Sequence, residues 1–96
     1  MSLGPGTIIS RKELQKLFHV GRKLELLACY VPMNGAQPRT VKAQRSYGYD
    51  MEKADGKVSR LSFETGQRIE VYGKPFPVEV VIWDTAGIAA AHYRLL

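Results

Sequence analysis

The sequence predicts a mainly β domain: a small antiparallel β-barrel or curled sheet of five to six strands with one short N-terminal α-helix. Three observations carry this expectation. Two apolar runs, Lys23 to Val31 and Val78 to Trp83, are apolar on both alternating sets of positions, as well-covered strands are. Turn signals such as Asn34-Gly35, Asp55-Gly56 and Thr65-Gly66 divide the chain into short segments. Only one segment carries a helix-start signature.

That segment opens at Ser10. Ser10 and Glu13 form a capping box, in which the hydroxyl and the carboxylate satisfy free N–H groups at a helix start. Leu14, Leu17 and Phe18 share one helical face, Lys12 and Lys16 another, and Gly21 is a natural stop. The spacing predicts a helix from Arg11 to His19 that covers one end of the sheet.

Pro32 ends the first apolar strand, because proline has no N–H for a ladder. Residues 39–53 read as one long extended stretch. Val41, Ala43, Tyr47, Tyr49 and Met51 share one parity, and Thr40, Lys42, Gln44 and Ser46 the other.

The following hairpin can be registered. A two-residue Asp-Gly loop sets Tyr49 against Ser62 and mixes the faces. A three-residue loop with Gly56 left-handed sets Tyr49 against Leu61, Tyr47 against Phe63 and Asp50 against Arg60. The second register keeps apolar residues together and opposes unlike charges, so it is preferred. By the same reasoning a turn at Thr65-Gly66-Gln67 pairs Phe63 with Ile69 and Glu64 with Arg68. Residues 73–77 hold a glycine and two prolines and read as a loop. Residues 88–96 are open to two readings. Their alanines favour a helix, whereas a return as a strand after the Asp84–Gly87 turn, the preferred reading, places Ala89, Ala91, Tyr93 and Leu95 on one face.

The 96 residues suit one domain, with residues 1–6 as a loose tail and 7–96 as the fold. Met1 to Gly6 has neither the basic start nor the apolar run of a secretory signal, and no stretch nears the roughly 20 apolar residues of a membrane span. Cys29 is the sole cysteine and lies in an apolar run, so it is expected to be an inert thiol. A cytoplasmic chain with no membrane partner follows as the expectation.

Val81-Ile-Trp-Asp-Thr-Ala-Gly87 resembles the strand-and-switch motif of Ras-like small GTPases over seven residues. That resemblance implies a magnesium-holding Asp84 and a phosphate-facing Gly87. The family also requires a Gly-x-x-x-x-Gly-Lys-Ser/Thr loop upstream and an Asn-Lys-x-Asp base-reading motif. This chain has neither, so nucleotide hydrolysis is not expected. His19 and His92 are far apart and form no ligand pair with Cys29, so no metal site is predicted. No nucleophile, base and acid are selected by spacing. The chain is therefore expected to be non-enzymatic, without a small-molecule cofactor.

The charge is lopsided. Residues 1–48 carry eight Lys/Arg against two acids, whereas residues 49–96 carry six against seven. Basic residues interleaved with aromatics are what single-stranded nucleic-acid sites use, the former for phosphates and the latter for base stacking. Lys12, Lys16, Arg22, Lys23, Arg39, Lys42 and Arg45 are the candidate phosphate ligands. The alternation sends Tyr47 and Tyr49 toward the core, and only a bulge near Gly48 would turn one outward. The first expectation is thus a small nucleic-acid-binding module. The alternative is a protein-interaction or assembly module, either a homo-oligomer or part of a larger complex, docking through an unpaired strand edge.

Overall fold

The computed structural model describes residues 6–29, 37–64, 67–73, 78–85, 87 and 89–96, without the side chains of 28, 29, 89 and 90. The elements are β1 (Thr7–Ile9), α1 (Arg11–Leu17), β2 (Lys23–Cys29), β3 (Gln37–Arg45), β4 (Gly48–Lys53), β5 (Val58–Ser62), β6 (Arg68–Tyr72), β7 (Glu79–Trp83) and β8 (Ala89–Leu95). All eight strands join one antiparallel sheet in the order β1-β6-β7-β8-β2-β3-β4-β5. The sheet is open. It is not closed into a barrel, because β1 and β5 stand at its two ends and do not pair with each other.

Two findings raise the strand number from the expected five or six to eight. Thr7–Ile9 pairs with β6, a strand too short for any alternation to announce. The stretch 39–53 is two strands, folded back at Ser46-Tyr47 with Arg45 opposite Gly48. Gly48 makes this turn feasible. Its φ is +148°, and a Cβ there would lie 1.9 Å from the Leu61 carbonyl oxygen. A glycine was needed because the β5 backbone passes directly over it.

The β4–β5 register matches the three-residue loop. Tyr49 faces Leu61, Asp50 faces Arg60, and Gly56 is left-handed at φ +84°. Phe63 N–H donates to the Tyr47 carbonyl at 2.7 Å, which extends the pairing by one step. The C-terminal segment is a strand, with Ala91, Tyr93 and Leu95 buried.

The Phe63–Ile69 hairpin does not form. Ile69 pairs with Ile9 on one side and Ile82 on the other. The turn geometry at Glu64 is present, since Gln67 N–H donates to the Glu64 carbonyl and Gln67 Oε1 accepts from Glu64 N–H. The chain leaves this turn for the far side of the sheet. The physical reason is competition for the ladder: β1 and β7 take the two flanks of β6, which leaves none for β5.

The core fills the inner face of the sheet, and α1 seals it. Ser10 caps the helix, accepting from Glu13 N–H at 3.2 Å. Leu14 and Phe18 are fully buried. Phe18 meets Tyr49 of β4 at 5.4 Å and Tyr93 of β8 edge-on at 5.5 Å. The helix ends at Leu17, with Phe18 as its C-cap, two residues short of the expected end. The expected Asn34-Gly35 turn, the end of the first strand at Pro32, the 73–77 loop beyond Gly73, the tail before Gly6 and the Cys29 thiol lie outside the described residues.

Two glycine substitutions separate close packing from conformational freedom. Gly48→Ala is expected to cost at least about 2 kcal/mol, because backbone atoms must move. Gly56→Ala, with open space around it, is expected to cost about 1 kcal/mol for its positive φ alone. Urea denaturation midpoints of the two variants against the wild type check the ranking.

Candidate functional site

The seven basic candidates reach different places. Lys12 and Lys16 stand one turn apart on α1, both exposed, and with Ile9 and Leu17 they line one shallow hollow. Lys23 is exposed at the start of β2. Arg22 is half-buried, and its Nε finds no hydrogen-bond partner among the described residues. Arg39 faces inward opposite Leu24, is 8% exposed, and donates from Nη1 to the Pro38 carbonyl at 2.9 Å. Lys42 pairs with Glu52 at 3.3 Å and Arg45 with Asp50 at 2.9 Å. The fold brings Lys12 and Lys16 together and sets Lys42 and Arg45 in a band neutralised by acids. It does not gather the seven on one face.

A bulge explains part of this scatter. Between Val41, opposite Met51, and Ala43, opposite Asp50, β3 carries one extra residue. The alternation flips there, so Lys42 and Gln44 no longer share a face. Gln44 turns toward the helix, donating to the carbonyls of Gln15 at 3.0 Å and Phe18 at 3.3 Å. It satisfies carbonyls that the helix end leaves free.

Tyr49 is core, as expected: it is buried against Phe18 and Phe63, and burial pushes its phenol up to about 12. Tyr47 is not. The Ser46-Tyr47 turn swings it out, where its hydroxyl donates to Asp50 and Arg60 lies over its ring at 4.3 Å. The Tyr47 hydroxyl and the Arg45 guanidinium together hold the Asp50 carboxyl below its ordinary range.

A second charged cluster, unforeseen in the sequence, covers the outer face of β6, β7 and β8. Glu70 Oε2 accepts from Tyr72 Oη and Trp83 Nε1, each at 2.7 Å, and Arg68 pairs with Oε1 at 3.2 Å. Arg68 also lies over the Trp83 ring at 5.2 Å. These bonds hold the Glu70 carboxyl low, with the Tyr72 hydroxyl as the leading cause. Beside it His92 Nε2 meets Glu79 at 2.9 Å, and Arg94 reaches Glu79 at 3.6 Å. Tyr72, Val81, Trp83, His92 and Glu79 line an open hollow of about 360 Å³. The signal was the i, i+2 spacing of Arg68, Glu70 and Tyr72 and of Glu79, Val81 and Trp83. Reading it required the β6–β7 register. The segment that resembles the GTPase motif serves this hairpin: Gly87 N–H donates to the Asp84 carbonyl to close the β7–β8 turn.

The third feature is the β5 edge. Among the described residues β5 pairs only with β4. Backbone groups alternate between the flanks of an antiparallel strand. Phe63 N–H points to β4, and the Lys57 carbonyl accepts from Lys53 N–H at 2.8 Å. By that alternation Ser59 and Leu61 also bond toward β4. The N–H and C=O groups of Val58, Arg60 and Ser62 therefore face the open flank. Val58 is exposed, and the strand has no proline or lysine to blunt its edge. β1, the other edge, is only three residues long.

Among the described residues no group of three His, Cys, Asp or Glu side chains is arranged to hold a metal ion. No helix among them is long and apolar enough to cross a membrane. No protein-family model, curated protein or solved structure matches this chain.

Asp50 and Glu70 set an acid limit to stability. Both carboxyls lie lower in the fold than in an unfolded chain, so their contribution is complete above the ordinary carboxylate range. It is lost as pH falls through their depressed values. Denaturation midpoints measured from about pH 7 to about pH 3 are expected to fall, and to fall less steeply in Asp50→Asn and Glu70→Gln, which start lower at neutral pH.

Proposed function

We propose that this chain is a binding module that docks a protein partner by strand addition at the free edge of β5. One observation carries the reading: among the described residues, the backbone groups of Val58, Arg60 and Ser62 face a flank that no strand pairs with, at the longer of the sheet's two edges. A row of unmet donors and acceptors at strand spacing is a template for an extended segment. Backbone bonds supply the affinity, and side chains at alternate positions supply the choice of partner. Arg60 stands at the centre of the outer row and favours an acidic residue opposite it.

The competing nucleic-acid reading keeps Lys12, Lys16 and Lys23 as exposed cations. Of its other candidates, Arg22 is half-buried, Arg39 is buried, and Lys42 and Arg45 are paired with carboxylates. A surface with few unpaired cations releases few counterions on binding.

Arg60→Pro tests the edge. The Arg60 N–H does not bond to β4, so proline removes a docking donor and spares the ladder. Arg60→Ala removes the same side chain and keeps the N–H. Peptides selected from a random library on the wild-type protein are expected to bind Arg60→Pro at least about tenfold more weakly, roughly 1.4 kcal/mol, and Arg60→Ala much less so. Equal binding to Arg60→Pro would contradict the reading. So would a library that yields no binder while oligonucleotides bind at low salt and lose affinity in Lys12→Glu and Lys16→Glu.

A further inference from the structure

We propose that the occupant of the β5 edge is a second copy of this chain, paired antiparallel about a two-fold axis at Ser62. This rests on the strand-addition reading and names the partner. Self-pairing of an antiparallel edge is isologous, so each register fixes every facing pair. An axis at Arg60 sets Arg60 against Arg60 of the other copy, which like-charge repulsion disfavours. An axis two residues on, at Ser62, sets Arg60 against Glu64 of the other copy, twice over. It also sets Leu61 against Phe63, and both are partly buried apolar residues at the rim of the core.

The backbone allows this register. Ser62 N–H and C=O face the open flank, so the two Ser62 residues exchange two hydrogen bonds across the axis. Arg60 N–H also faces outward and meets the Glu64 carbonyl of the other copy. That carbonyl already accepts from Gln67 N–H at 3.3 Å, and its second lone pair is left for the incoming donor. Glu64 N–H stays with Gln67 Oε1. The pairing therefore provides four backbone hydrogen bonds and two ion pairs without dismantling the Glu64 turn. Glu64 is exposed, and Arg60 is already held over Tyr47, so little ordering is needed to bring the charges together.

Sedimentation equilibrium up to about 1 mM protein tests the assembly. The expected result is a mass that doubles with concentration. Glu64→Arg should weaken the dimer at least about tenfold, and Glu64→Gln should weaken it less. In a Cys29→Ser background, Ser62→Cys should form a disulfide-linked dimer on mild oxidation, and Ser46→Cys, at the tip of the β3–β4 turn, should not. Thermal melts confirm that each variant is folded. Doubling that ignores Glu64→Arg, or equal cross-linking of both cysteine variants, would overturn the proposal. So would a monomer at every concentration. If library-selected peptides still lose binding to Arg60→Pro in that case, the edge reading stands and only the second copy is wrong.

Discussion

Phe18 is the residue on which the architecture depends. It sits at the C-cap of α1, fully buried, with aromatic contacts to Tyr49 on β4 and Tyr93 on β8. Those strands are separated in the sheet by β2 and β3. A flat sheet cannot bring strands that far apart onto one ring, so the packing of Phe18 requires curvature. Bulges in β2, β3 and β8 supply it. Burying a ring of this size is worth on the order of 2 to 3 kcal/mol before its edge-on contacts are counted.

The sheet stays open, with α1 seated over its inner face. Arg11 ties the helix to the β4–β5 side, donating from Nη2 to the Ser46 carbonyl at 2.9 Å and lying over Phe63 at 5.0 Å. A small hollow remains at this seam, walled by Ile9, Ser10 and Arg11 on one side and Phe63 and Glu64 on the other. The helix covers the core, and among the described residues no strand pairs with the outer flank of β5.

Local features were legible in the sequence where the physics is local. The Ser10 cap needs only the helix start, and the β4–β5 register follows from face matching across one short loop. The C-terminal strand followed from the Asp84–Gly87 turn and an alternating face. The remainder was decided by distant neighbours. Gln67 and Ile69 gave a sound hairpin signal, but β6 is buried on both faces and was claimed by β1 and β7. The bulge at Lys42-Ala43 inserts one residue without any Gly or Pro to mark it, and it inverted the faces assigned to Gln44. The candidate site fared in the same way. Counting seven basic residues in the first half said nothing of which would be buried, like Arg39, or paired, like Lys42 and Arg45. The edge of β5 became visible only once the strand order was known.

On the strand-addition reading, β5 presents a free backbone edge in the isolated chain and satisfies it by pairing. Residue-resolved amide hydrogen exchange tests it directly. In dilute solution Ser59 and Leu61 should be protected by β4, whereas Val58, Arg60 and Ser62 should exchange fast, an alternation along five consecutive residues. At high concentration Arg60 and Ser62 should slow, and Val58 should not. Uniform protection of all five amides in dilute solution would mean that the chain covers its own edge, and would rule out strand addition there.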